Sequence, residues 1–190
     1  MAAKVLEALQ ARFGAEVILS THAHRGDETA VVASDKIREV CAFLKETPEL
    51  DFTMLSDVTC VDWLGEEERF EVVYHLYSMR HRHRVRLKAR VKEEAASLPS
   101  VVPVWRAANW FEREVYDMYG VRFEDHPDLR RLLLYPEFEG HPLRKDYPLN
   151  GEQPLVSLHD PDSRRPVMPS VGGACGLVQL GPPPTAEPEA

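Results

Sequence analysis

The chain has 190 residues, 44% hydrophobic and 28% charged, with a formal charge of −8. That length suits one domain of about 150 residues, large enough to bury a core without metals or disulfides, and the acidic balance argues against a general nucleic-acid binder. No run of 18 apolar residues exists to cross a membrane, no signal peptide is expected at Met1–Gln10, and Cys41, Cys60 and Cys175 form neither a disulfide framework nor a CxxC site. Lys4 to Phe13 reads as a short amphipathic helix with Val5, Leu6, Leu9 and Phe13 on one side. Strands are predicted at Glu16–Thr21 and Thr29–Ala33, joined by a turn at Arg25-Gly26-Asp27. Ser34 stands at an N-cap position before a helix carrying Ile37, Val40, Cys41 and Leu44, and Pro48 ends that helix. Three more strands are expected at Val58–Trp63, Phe70–Met79 and Arg84–Val91. The strongest helix runs from about Trp105 to Tyr119, its apolar positions Trp105, Ala108, Phe111, Val115 and Met118 recurring every three or four residues, with Gly120 available as a left-handed cap. The order α-β-β-α-β-β-β-α predicts a two-layer α+β domain over residues 1–150. Residues 151–190 hold 8 of the 15 prolines and 5 of the 10 glycines, and they read as an extended tail ordered by contact with neighbours.

Several patterns are candidates for chemistry. Arg80, Arg82, Arg84, Arg86, Lys88, Arg90 and Lys92 occupy successive even positions, so a strand would put them on one face. A solvated outer face explains this strip most simply, and an acidic protein partner comes next; without interleaved aromatics, base stacking has little support. The pairs His22/His24 and His81/His83 each offer two metal ligands, short of the three or four a site needs. No GxGxxG follows a strand, no GxSxG elbow occurs, and three scattered cysteines are too few for an iron–sulfur cluster. A self-contained active site is not expected. The densest segment runs from Trp105 to Leu149, where charged and aromatic residues alternate with Pro127, Pro136, Pro142 and Pro148. Within it Arg113 and Asp117 are spaced to pair along one helix, while Glu112 and Glu114 point to different sides. The segment is either a docking surface or a loop folded on its own domain by internal ion pairs.

The same segment resembles the signature of the 30 kDa subunit family of respiratory complex I, whose bacterial members belong to the proton-pumping NADH:quinone oxidoreductase. The motif falls on Glu112, Arg113, Glu114, Asp117, Met118, Tyr119, His126 and Arg130, and the extension Gly140–Leu149 (GHPLRKDYPL) is similar too. Tyr135-Pro136-Glu137-Phe138 departs from the acidic residue and tryptophan common in relatives. The resemblance implies an α+β fold with a mixed sheet of about five strands, in the unfused form of the subunit. It implies no flavin or iron–sulfur cluster in this chain, FMN and the clusters being held by partner subunits. It places the chain in the hydrophilic arm, peripheral to the cytoplasmic side of the bacterial inner membrane, against the 49 kDa-type subunit that helps form the quinone site. On that basis Glu112, Arg113, Glu114, Asp117, His126, Arg130, Arg131, His141, Arg144, Lys145 and Asp146 are the expected interface residues. Charge reversal of Arg130 and Arg131 is then expected to impair assembly and leave the chain folded. The equivalent component of a membrane-bound hydrogenase or a ferredoxin-fed complex is the alternative.

Overall fold

The computed structural model describes residues 3–153. The expected tail lies outside them, apart from its first three residues. Strands β1 (Ile18–His24) and β2 (Asp27–Val32) form a hairpin closed by Arg25 and Gly26, with φ of 54° and 90°. Two positive φ angles in a two-residue loop match the right-handed twist of paired strands, which is why glycine serves there. Strands β3 (Met54–Asp62), β4 (Phe70–Ser78) and β5 (His83–Val91) form an antiparallel meander, and β5 pairs in parallel with β2. The sheet order is β1-β2-β5-β4-β3, a mixed five-stranded sheet as the sequence and its resemblance imply.

Alternation sets the layers. Val85, Leu87, Ala89 and Val91 of β5, Val72, Tyr74 and Leu76 of β4, and Ala30 and Val32 of β2 are all buried in one cluster. That cluster also takes Val5 and Leu9 of α1 (Ala3–Phe13), Ile37, Val40, Cys41 and Leu44 of α2 (Ile37–Glu46), and Ala108 and Val115 of α3 (Ala108–Tyr119). The even-numbered residues of β5 face away from it.

Three local expectations need correction. Ser34 is no helix cap: it opens a 3-10 turn, Ser34–Lys36, and α2 follows with Lys36 at its N-cap and no side-chain cap bond. Helix α3 begins at Ala108, three residues later than its apolar spacing suggests. Trp105 sits in the preceding turn, buried, with its indole Nε1–H donating to the Phe52 carbonyl at 3.2 Å. Finally, β6 (Ser97–Pro99) and β7 (Arg122–Glu124) flank α3 and pair in parallel. Three residues are too few to show a period, so neither strand is readable from the sequence.

Candidate functional site

Asp117, on the inward side of α3, is fully buried. Its Oδ2 accepts three successive backbone N–H groups, from Leu132 (3.0 Å), Leu133 (2.8 Å) and Leu134 (2.9 Å). Arg131 Nη1 donates to Oδ1 at 2.8 Å. Burial alone pushes this carboxyl up, but the Leu134 N–H, the Arg131 guanidinium and the N–H groups of Leu133 and Leu132 outweigh it and hold it below the usual carboxylate range. The local pairing of Arg113 with Asp117 does not form. Arg113 instead donates to the carbonyls of Arg130 and Arg131, both at 3.2 Å, so the two residues grip the same loop from adjacent turns of the helix. Arg131 also donates through Nη2 to the carbonyls of Phe138 (2.8 Å) and Gly140 (3.1 Å). Tyr135-Pro136-Glu137-Phe138, the family departure, packs Phe138 edge-on to Tyr135 and stacked on Tyr147.

The C-terminus of α3 is closed by the same segment. A helix leaves its last four carbonyls without partners. Here Tyr116 accepts from Gly120 N–H, Asp117 from His141 Nδ1–H (2.9 Å), Met118 from Leu143 N–H (3.1 Å) and Tyr119 from Arg144 Nε–H (2.6 Å). Gly120 is at φ 80°, and a Cβ there would lie 2.6 Å from both Arg144 Nη2 and His141 Nε2. Its glycine therefore answers two demands, a left-handed turn and the close approach of this loop.

Further along α3, Glu112 is also fully buried, accepting from Ser100 Oγ (2.6 Å) and Val101 N–H (2.7 Å). Burial pushes its carboxyl up to about 7, against the pull of Ser100, Val101 and Arg38. The His126 ring lies 3.9 Å away, its Nε2–H donating to the Asn109 carbonyl (3.2 Å) while Nδ1 accepts from Asp128 N–H (3.0 Å). One nitrogen donating and the other accepting describes a neutral imidazole, and burial lowers its pKa in agreement. Glu114 is exposed on the opposite side.

Lys145 and Asp146 reach the sheet through a residue that the sequence did not single out. Arg69, 4% exposed, donates to both oxygens of Asp62 (2.8 and 2.9 Å), to Glu93 (2.8 Å) and to Asp146 (2.6 Å). The Lys145 N–H donates to the same Asp62 at 2.7 Å. These bonds hold Asp62 below the usual carboxylate range, the Arg69 guanidinium first among them. An arginine directly preceding an apolar strand is the only trace of this centre in the sequence. Ser100, another partner absent from the sequence-based set, leaves none.

The structure thus divides the expected interface residues. Glu112, Arg113, Asp117, His126, Arg131, His141, Arg144 and Asp146 spend their polar atoms inside the chain. Glu114, Arg130 and Lys145 are exposed, and Arg130 meets only the neighbouring Asp128, at 2.9 Å. Apolar groups stand beside them in the open: Trp110 is 60% exposed, Leu133 63% and Leu143 50%. The result is a clasp, folded on its own domain, whose outer surface is apolar and charged. Among the described residues no three His, Cys, Asp or Glu side chains converge to hold a metal ion, and no helix is long and apolar enough to cross a membrane.

Residues 30–153, which include the whole clasp, match the model of the respiratory-chain NADH dehydrogenase, 30 Kd subunit. The chain belongs to this family. A relative in Geobacter sulfurreducens, the C-type subunit of its NADH-quinone oxidoreductase, is 51% identical over 144 residues, spanning 75% of this chain and 87% of its own. A second such relative, from Rhizobium meliloti, is 46% identical over 166 residues, spanning 87% and 90%. Among solved structures, the trypsin-resistant fragment (1–134) of Nqo5 superposes with a TM-score of 0.59 at 33% identity, covering 68% of this chain and all of the fragment. A chain of the membrane-bound sulfane sulfur reductase, an archaeal respiratory membrane complex, gives 0.65 at 26% identity, covering 78% and 86%. The 30 kDa family fold is therefore the mixed sheet with packed helices described above.

Proposed function

We propose that this chain is a non-catalytic, cofactor-free subunit of the hydrophilic arm of a proton-pumping NADH:quinone oxidoreductase, docked on the 49 kDa-type subunit and peripheral to the cytoplasmic side of a bacterial inner membrane. The observation that carries the reading is the family match across the entire clasp, with relatives near 50% identity named as subunits of NADH-quinone oxidoreductase. The chemistry of the clasp supports a positional role. Its buried carboxylates and guanidiniums are bonded to backbone and to one another, which leaves them ill-placed for proton transfer to a substrate. In this reading FMN and the iron–sulfur clusters reside in partner subunits, and the exposed Trp110, Leu133 and Arg130 belong to the surface offered to them.

Affinity purification of the tagged chain from its host tests the reading. The expected result is a complex that contains a 49 kDa-type subunit and passes electrons from NADH to a quinone, while the chain purified alone is colourless. A stoichiometric flavin or metal in the isolated chain would overturn the cofactor-free part. The likeness to the archaeal sulfane sulfur reductase complex favours a second reading, the equivalent subunit of a related membrane-bound complex with another donor. A purified complex that uses hydrogen or ferredoxin in place of NADH would decide for it.

A further inference from the structure

The basic strip divides into two halves with different fates. At one end Lys88 (2.7 Å) and Arg90 (2.9 Å) both close on Glu71, and Lys92 closes on Glu67. At the other end Arg80, Arg82, Arg84 and Arg86 have no carboxylate partner among the described residues; Arg84 lies over the Tyr77 ring at 5.5 Å, and Arg86 reaches only the Thr29 hydroxyl at 3.4 Å. Four unpaired guanidiniums within seven residues stand out on a chain whose net charge is −8. The turn that carries Arg80 and Arg82 is held in shape. Arg82 adopts φ 52°, its N–H bonded to the Ser78 carbonyl at 2.8 Å, and the His81 N–H meets Ser78 Oγ, Ser78 being fully buried. His81 Nε2–H reaches the Pro48 carbonyl at 3.3 Å, and the His83 ring packs edge-on to Phe52 at 4.8 Å. At the tip Met79 is 61% exposed. Arg84 and Arg86 also line a separate cleft of about 580 Å³, whose wall carries Asp27, Glu28 and Asp57.

We propose that the tip of the β4–β5 hairpin docks an acidic segment of a neighbouring protein, its Asp or Glu side chains on Arg80, Arg82 and Arg84 and an apolar side chain on Met79. Opposite charge selects such a partner, and a turn already fixed in place loses little further entropy on binding. Nucleic acid fits worse: Tyr77 is covered by Arg84, so no aromatic is free to stack on a base. An anionic lipid surface fits worse as well, since Met79 is a single apolar anchor. The inference rests on the proposed role as a subunit, which supplies protein neighbours.

The test places a benzophenone amino acid at Met79 of the full chain in its host, irradiates intact membranes and identifies cross-linked peptides by mass spectrometry. The expected product is a peptide of another protein with several Asp or Glu residues around the cross-link. Its yield should fall at least tenfold with R80E/R82E/R84E and survive in R80K/R82K/R84K. Cross-links to lipid or nucleic acid, to peptides lacking acidic residues, or no cross-link in a chain that co-purifies with the complex would overturn the surface. An acidic peptide from a protein outside any such complex would uphold the surface and overturn the subunit reading.

Discussion

Glu112 and Asp117 lie on one helix, both fully buried, yet their carboxyls shift in opposite directions. Asp117 receives four donors and stays ionised. Glu112 receives two, and burial raises it to about 7 from an ordinary 4.5. The native state therefore holds a proton on Glu112 that the unfolded chain releases, over the window from 4.5 to about 7. Stability carried by this group is full below 4.5 and is lost as pH rises through 7, by up to about 3 kcal/mol. Asp117 acts the other way, its contribution being present above 3.8 and lost as pH falls through its lower folded value. Urea unfolding of the wild type and of Glu112→Gln at about pH 5 and about pH 8 separates them. The wild type should lose stability relative to the Gln variant at the higher pH; parallel pH profiles would mean that Glu112 is ionised throughout. At this scale the sequence marks which residues matter through their spacing, but not whom they meet. The helical rule puts Arg113 on Asp117, and it fails because three consecutive N–H groups from Leu132–Leu134 and the Arg131 side chain are better partners for a buried carboxylate.

Among the elements, the legible ones are long and periodic. β5 alternates through nine residues and is readable to within one residue of its start. The start of α3 is misplaced in the sequence because Trp105 belongs to the core and so keeps the apolar spacing going while the backbone is still in a turn. The short β6 and β7 carry no pattern at all, and their pairing follows from the return of the chain after α3. Gly120, by contrast, is legible as a helix stop, and the structure adds the loop packed against it. Gly120→Ala should cost at least about 1 kcal/mol for the left-handed backbone alone, and more because the new methyl displaces Arg144 and His141. Hydrogen exchange should then accelerate at the Leu143 amide, which bonds to the Met118 carbonyl. Unchanged protection there would show that the loop does not depend on this close approach.

For the whole molecule, the question is which parts of the signature fold the chain and which face a partner. In the proposed reading Trp110, exposed on α3 beside the Arg113 guanidinium at 5.3 Å, belongs to the second group. Trp110→Ser should leave stability within about 0.5 kcal/mol, as surface substitutions do, and reduce co-purification of the 49 kDa-type subunit; undiminished co-purification would remove Trp110 from the docking surface. The most direct measurement compares two adjacent arginines. Arg131 donates to buried Asp117 and to two loop carbonyls, whereas Arg130 meets only Asp128 in solvent. In equilibrium urea unfolding of the isolated chain, Arg131→Ala should lose at least about 3 kcal/mol, because it leaves a buried carboxylate short of its partner. Arg130→Ala should change stability by no more than about 0.5 kcal/mol. If Arg131→Ala unfolded like the wild type and failed only in assembly, the signature would face outward and the internal clasp would be contradicted.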